Sequence, residues 1–252
     1  MAENKFPTEV VDLPSKGYYY PEDNPLSSGQ IEIKYMTAKE EDILTSQNLI
    51  QKGIVLDKLL ESLIVDKKIS SESMLIGDKN AVMIATRVLG YGKDYTVTLT
   101  DPDSGDKQEE TFDLTQITDK KIDPKLFKSG KNEFEFDLPA SKTKILFRLL
   151  THKEEKEIDA ELKAYKKFAK DSGITAEITT RMKKAIVSVN GDTSLKRISE
   201  FVENELLSRD SLSFREHLIK ITPDVDMSFT FTSESTGEDT TMDIPLDVEF
   251  FW

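Results

Sequence analysis

The chain contains no cysteine, and other features that carry chemistry are scarce. Without cysteine, a disulfide framework, a thiolate metal site and a cysteine nucleophile are all excluded. No apolar run approaches the roughly 20 residues needed to span a bilayer. The opening stretch, MAENKFPTEV, lacks the basic and then apolar pattern of a secretory signal. We therefore expect a soluble cytoplasmic protein without a membrane span.

Basic residues are also in short supply. Lysine and arginine number 34 against 47 aspartate and glutamate, a formal net charge of -13 over 252 residues. Binding to a nucleic acid backbone depends on basic groups that neutralise phosphates, and anionic lipid surfaces also attract positive charge. The charge balance argues against nucleic acid and against an anionic membrane as partners.

Residues typical of catalytic or metal sites are few. Only two histidines are present, His152 and His217, and neither has the partner spacing of a zinc ligand pair. We interpret His152 as a solvent-facing residue near a helix start. A Gly-x-Ser-x-Gly nucleophile elbow and a phosphate-binding glycine loop are both missing. The many carboxylates lie in segments of mixed charge typical of solvated surfaces. We predict no catalytic residue, metal ligand or cofactor.

Proline and aromatic residues concentrate near the two ends. Residues 1–29 hold four of the nine prolines, which restrict the backbone to extended or turn geometry. We predict an extended N-terminal arm that lies on a surface, its own or a partner's. Large aromatic side chains supply much of the energy in many protein interfaces. The candidate partner-binding residues are accordingly Tyr18, Tyr19, Tyr20, Pro21, Phe250, Phe251 and Trp252.

Two junctions between a strand and a helix share one design. The segment IEIKYM (31–36) alternates as a strand, and Thr37 follows it, three residues before Glu40. This spacing predicts a capping box, in which each side chain satisfies a free backbone N–H at a helix start. The pattern recurs 114 residues later, where ILFRLL precedes Thr151 and, three residues on, Glu154. We predict two equivalent junctions.

A second correspondence has a spacing of 132 residues. TLTDPDSGD (98–106) aligns with TFTSESTGE (230–238), and both lie between segments typical of hairpin strands. The two spacings differ by 18 residues, which we place in the long helical region after Thr151. The predicted fold is α+β with two related halves, each a strand leading into a capped helix, further helices and a closing β-hairpin. The halves span residues 30–120 and 121–252, the second with the longer helical insertion and the aromatic C-terminus.

The tip of the first hairpin is rich in carboxylates, and two interpretations of it are open. In a calcium loop, Asp101, Asp103 and Asp106 would supply oxygens, but the glycine and the last ligand of such a loop are misplaced. In a hairpin turn, Gly105 supplies a positive φ angle and short polar residues bond to their own backbone. The second tip has no aspartate at these positions, which favours a structural turn.

Several stretches resemble one protein family. DLPSKGYYYPEDNPLSSGQIEIKYMTAKEEDIL, GDKNAVMIATRVLGYGKDY and IPLDVEFFW are similar to baseplate hub proteins of T4-like contractile-tailed bacteriophages. The resemblance covers most of the chain and is densest in residues 12–92 and 246–252. It also implies that the hairpin turns of relatives can carry Cys-x-x-Cys-Gly pairs resembling zinc knuckles. The matching positions here hold no thiolate ligand: Asp101, Ser104, Gly105, Ser233, Thr236 and Gly237.

The resemblance implies a non-enzymatic phage tail protein that works through protein contacts. It would act in assembly of the baseplate central hub, as an assembly chaperone or catalyst or as a hub component. Its partners would be other hub and tail proteins, met in the host cytoplasm during assembly. Two other interpretations stay open: a calcium-responsive binding module at the first hairpin tip, and a carboxylate hydrolase of peptidoglycan.

Overall fold

The computed structural model describes residues 7–100, 105, 107–123, 130–168, 175–232 and 237–251. The part of the chain up to residue 120 contains β1 (Thr8–Asp12), β2 (Gln30–Lys34), α1 (Ala38–Leu44), α2 (Gln47–Gln51), α3 (Val55–Leu63), α4 (Ile76–Tyr91), β3 (Asp94–Thr100) and β4 (Lys107–Asp113). The second half contains β5 (Phe134–Asp137), β6 (Lys144–Phe147), α5 (His152–Phe168), α6 (Glu177–Ala185), β7 (Ile186–Val189), α7 (Leu195–Glu200), α8 (Ser208–Ile221), β8 (Ser228–Thr232) and β9 (Asp239–Asp243). Helices with small antiparallel sheets confirm the α+β prediction.

The named strands form small antiparallel sheets. β1 pairs with β2, and an isolated bridge from Ile64 to Ile33 lies on the other side of β2. β5, β6 and β7 form a three-stranded sheet in that order. β3 pairs with β4, and β8 pairs with β9. Each of these two hairpins follows a helix, β3 and β4 after α4 and β8 and β9 after α8.

The predicted capping box is present at Thr37, and at Thr151 the half that Glu154 supplies is present. The backbone N–H and the hydroxyl of Thr37, just before α1, donate to the Glu40 carboxylate at 3.0 and 2.6 Å. The backbone N–H of Thr151, just before α5, donates to Glu154 at 2.8 Å, and its hydroxyl donates to the same oxygen. α5 has 17 residues against 7 in α1. The placement of the 18 extra residues in this helical region stays a prediction.

Both predicted hairpins are confirmed, and they have the same register. Every residue pair of β8 and β9 lies 132 positions after a pair of β3 and β4. Gly105 and Gly237, also 132 positions apart, have positive φ angles of 76° and 72°, which glycine adopts without steric cost. The ring of Phe112 in β4 lies 4.0 Å from that of Phe229 in β8. The two hairpins therefore contact each other.

The helix before each hairpin is tied to the strand pair of the same half. Asp78, the third residue of α4, accepts a hydrogen bond from the backbone N–H of Ser15 at 2.9 Å. Asp210, the third residue of α8 and 132 positions later, accepts from the backbone N–H groups of Ala140 and Ser141 at 2.7 and 2.9 Å. Both turns begin with the tripeptide Asp-Leu-Pro. These are local correspondences, and the equivalence of the halves as whole units stays a prediction.

One apolar core draws on both halves, and it corrects the prediction of an N-terminal arm. The segment supplies β1 and the turn that returns to β2, and Leu13 and Leu26 in this turn are fully buried. Gly17 and Gly29 lie back to back in the turn, where a Cβ atom on Gly17 would lie 2.3 Å from the carbonyl oxygen of Ser27. The prolines therefore shape a packed turn instead of an extended arm.

Candidate functional site

Two of the tyrosines predicted to bind a partner lie in the protein's own core. Tyr20 is 5% exposed; its hydroxyl donates to Asp78 at 2.6 Å and accepts from the backbone N–H of Leu75 at 2.9 Å. Tyr19 is 2% exposed and packs edge-on against Phe134 at 5.9 Å. Burial, together with the charge of Asp78, raises the pKa of both phenols. Both side chains therefore stabilise this fold and do not present a surface.

The C-terminal phenylalanines are also buried. Phe250 and Phe251 are fully or almost fully buried, and the Phe250 ring lies 5.1 Å from that of Tyr95. The Nε of Arg87 donates to the backbone oxygen of Phe250 at 3.2 Å. This bond and the aromatic contact fasten the C-terminal segment to α4 and β3. Trp252 lies outside the described residues.

The predicted partner-binding set is thus corrected for four of its seven residues, because buried rings cannot contact a partner in this structure. Tyr18 is partly buried against the core, and Pro21 is exposed. A partner role for these two residues stays a prediction. The residues proposed for calcium or for a zinc-like knuckle, Gly105 and Gly237 apart, lie outside the described residues: Asp101, Asp103, Ser104, Asp106, Ser233 and Thr236.

A cluster of ionisable side chains lies where α3, α4 and α5 meet. His152 Nε2 is 2.5 Å from Asp57 Oδ1 and 2.9 Å from Lys79 Nζ, and Lys156 Nζ is 2.9 Å from Asp57 Oδ2 and 2.7 Å from Glu72. Burial opposes the charge of Asp57, but the hydrogen bonds from His152 and Lys156 and the charge of Lys79 lower its pKa below the usual range. The prediction that His152 faces solvent is wrong. We interpret the cluster as a structural link between the halves.

A cavity of about 620 Å³ opens between α6 and α8, and we call it the arginine groove. Its apolar lining includes Leu149, Leu150, Ile178, Met182, Leu218 and Ile219. Ile178 is 46% exposed and Ile219 is 67% exposed. A concave apolar site with a few polar groups is the usual form of a binding site. The groove is therefore the candidate functional site.

Three arginines line this groove. Arg181 pairs with Glu155 at 2.5 Å, and Arg148 pairs with Glu154 at 3.1 Å. The Nε atoms of Arg148 and Arg215 are buried, and neither has a hydrogen-bond partner in the part of the chain that the structure describes. A buried donor that stays unsatisfied costs about 1–3 kcal/mol. The walls of the groove thus contain two N–H donors that have no acceptor among the described residues.

The carboxylates of the groove already have partners within the protein. Glu155 and Glu177 both bond to Arg181, and Asp224 accepts a hydrogen bond from Asn80 at 3.1 Å. Burial alone lowers the pKa of Arg181, but the bonds and charges of the two glutamates raise it overall. Among the described residues, no group of three or more histidine, aspartate or glutamate side chains is placed to hold a metal ion. The geometry suits recognition of an apolar segment with an anionic group.

The comparison with known families adds the identity of the chain. Residues 8–252 match the model of the family described as T4 bacteriophage base plate protein. The chain belongs to this family. Among curated proteins and solved structures, nothing matches it. The baseplate family makes other phage baseplate proteins the relevant partners and the virion tail baseplate the relevant location. None of the helices in the described ranges combines the length and apolar composition needed to cross a membrane.

In this baseplate protein, the arginine groove has no counterpart among the motifs of the sequence. Its lining residues come from segments between positions 76 and 224, so no short motif marks the site. One signal was available, because Leu212 and Ile219 lie seven positions apart on α8 and are 49% and 67% exposed. Apolar residues at this spacing share one helix face, and on an exposed face they indicate a contact surface.

Proposed function

We propose that this baseplate protein catalyses no reaction and acts in assembly of the central hub, as an assembly factor or a hub component. It would bind other hub and tail proteins, which it would meet in the host cytoplasm. The arginine groove is the observation that carries the proposal, since it combines exposed isoleucines with buried, unpaired arginine donors. These are the means of binding another chain, and membership of the baseplate family supplies the class of partner.

The proposed occupant is an apolar segment of a hub protein that carries a carboxylate. Its apolar side chains would cover Ile178 and Ile219, and its carboxylate would accept from the Nε atoms of Arg148 and Arg215. Hydrogen bonds between charged groups are roughly twice as strong as neutral ones. The site lies on a chain of net charge -13, so the arginines also discriminate: they favour an acidic segment where most of the surface repels one.

The expected affinity is modest. Burying an exposed isoleucine gains about 1.5–3 kcal/mol, so covering two that are about half exposed contributes roughly 2–3 kcal/mol. Hydrogen bonds to the two arginines add about 1.5–3 kcal/mol each. Association costs at least about 4 kcal/mol in lost freedom of motion. The groove alone therefore supports reversible binding, which suits sequential assembly of a machine.

Direct binding measurements test the proposal. The full-length protein is titrated with each purified hub and tail protein of the same phage, and binding is followed by calorimetry. Ile219→Asp and Arg215→Ala should each weaken the interaction by about tenfold or more, because the first places a charge on the apolar rim and the second removes a donor. Neither variant should lower Tm much, because neither residue belongs to the buried core.

Leu195→Asp is the matched control. Leu195 lies on α7, is 80% exposed and does not line the groove, so this variant should bind as the wild type does. The proposal is wrong if no hub or tail protein binds, or if the two groove variants bind as tightly as the Leu195 variant.

A further inference from the structure

β1 is an edge strand whose outer side is open. In the described ranges, β1 pairs with β2 alone. Hydrogen bonds join Pro7 to Tyr35 and Leu13 to Gly29, at the two ends of this pairing. Bonded and non-bonded pairs alternate in an antiparallel ladder, so the odd-numbered residues of β1 bond to β2. The residues whose backbone N–H and C=O groups point away from β2 are Thr8, Val10 and Asp12.

A second cavity, of about 360 Å³, lies along this edge. We call it the strand groove. Its lining includes Val10 and Val11 of β1 and, on α4, Ala81, Ala85 and Val88; residues in the segment 114–117 and Val225 complete it. Val10 is 55% exposed. Extended peptides bind edge strands by adding a strand, with backbone hydrogen bonds for affinity and a side-chain pocket for specificity. Both features are present here.

The corresponding space in the second half is filled. Phe136 of β5 and Val11 of β1 each precede the leucine of an Asp-Leu-Pro tripeptide by two residues. His217 of α8 lies 132 positions after Ala85 of α4. The Phe136 ring stacks on His217 at 4.6 Å and lies 5.7 Å from Phe214. Rings thus occupy the space between strand and helix in one half, whereas valine and alanine leave it open in the other.

We propose that the strand groove accepts an extended segment of another baseplate protein, which adds to β1 as a further strand and places an aromatic ring against Ala85. Cavities of about 150 Å³ hold a benzene ring, so the groove has room for one. Glu9 lines the groove and is exposed, and its carboxylate favours lysine or arginine next to the ring. This proposal rests on membership of the baseplate family and is independent of the arginine groove.

A peptide of defined sequence tests the proposal. The probe is a fluorescein-labelled peptide of alternating threonine and valine with one central phenylalanine and a lysine at each end, and binding to the full-length protein is followed by fluorescence anisotropy. Val10→Pro removes one outward N–H donor and spares the bonds to β2, since edge strands tolerate proline. Ala85→Phe fills the groove from within. Each variant should bind the peptide about tenfold more weakly than the wild type.

The controls separate binding by strand addition from non-specific binding of the peptide. A peptide in which alternate threonines are replaced by proline lacks the donors of a strand and should not bind. Val10→Pro replaces an exposed side chain, so it decides the result should Ala85→Phe fail to fold. The proposal is overturned if the wild type does not bind at about 1 mM peptide, or if Val10→Pro binds equally well. Binding that appears only after removal of residues 1–6 also overturns it, because that segment would then be the occupant.

Discussion

Replacing Asp78 with alanine should destabilise the protein more than replacing almost any other acidic residue. Asp78 is fully buried, and its two oxygens accept from the backbone N–H of Ser15 at 2.9 Å and from the hydroxyl of Tyr20 at 2.6 Å. Both donors belong to the turn between β1 and β2. Asp78→Ala therefore leaves a buried N–H and a buried hydroxyl without this acceptor.

The magnitude follows from these two bonds. Hydrogen bonds to a charged group contribute about 1.5–3 kcal/mol each, so their loss costs roughly 3–6 kcal/mol. Burial raises the pKa of Asp78, which means that the folded state disfavours its charge, and removal of the carboxylate recovers part of the loss. We expect a net cost of about 2–4 kcal/mol. In a chain of this length, 1 kcal/mol lowers Tm by about 2–4 °C, so Tm should fall by roughly 4–16 °C.

Thermal unfolding followed by circular dichroism measures this change, with Asp210→Ala as the counterpart and Asp159→Ala as the control. Asp210→Ala loses two bonds from backbone N–H groups and should cost a similar amount. Asp159 is exposed on α5, and its loss should leave Tm within about 2 °C of the wild type.

The pH dependence separates the two buried aspartates. Burial raises the pKa of Asp78, so its folded state binds a proton more readily than its unfolded state, and its contribution to stability grows as the pH falls through the raised pKa. Burial opposes the charge of Asp210 as well, but N–H donors from Ala140 and Ser141 lower its pKa overall. Its contribution is therefore present above about pH 4 and is lost as the pH falls further. Equal Tm values for Asp78→Ala and the wild type, or parallel pH trends for the two variants, would refute the reasoning.

Two further predictions concern packing and the ion cluster. Gly77→Ala should lower the free energy of unfolding in urea by about 2–4 kcal/mol, because its Cβ atom would lie 2.1 Å from the Pro223 carbonyl oxygen. Gly90→Ala, in the same helix, should cost far less, because its Cβ atom would meet the flexible side chain of Met36. Equal effects of the two substitutions would contradict the prediction. Asp57→Asn should cost about 3–5 kcal/mol at pH 7, because it removes the carboxylate that pairs with the largely buried Lys79 ammonium. Since the folded pKa of Asp57 is lowered, the difference in unfolding free energy between the wild type and Asp57→Asn should shrink by about 1 kcal/mol between pH 6 and pH 3. Urea unfolding of both proteins at the two pH values measures this change. A difference that stays constant would show that Asp57 is not the titrating group.

The elements that the sequence predicted well depend on neighbours a few residues away. A capping box joins positions three residues apart, as in Thr37 with Glu40, and a hairpin turn is set by the glycine within it, as at Gly105. Hydrogen bonds over such short separations form with little dependence on the rest of the chain. The α+β class and the resemblance to baseplate proteins could be inferred from such local sequence patterns.

Local sequence patterns do not show which side chains are buried. Tyr19 and Tyr20 have the composition of an interface, but Tyr20 bonds to Asp78, which is 58 residues away in the sequence. The sequence predicts that His152 is exposed, but its side chain contacts Asp57, which is 95 residues away in the sequence. An amphipathic ring gains free energy by burial in its own core or in a partner, and the sequence around it is the same in both cases.

By itself, the sequence determined the local elements of this protein, its lack of thiol chemistry and its baseplate family, because backbone geometry and short-range hydrogen bonds belong to a few adjacent residues. Only the tertiary structure decided which aromatic rings are core and where the arginine groove and the strand groove lie. The reason is physical: a groove is the space left between segments distant in the chain, and its shape depends on how all of them pack.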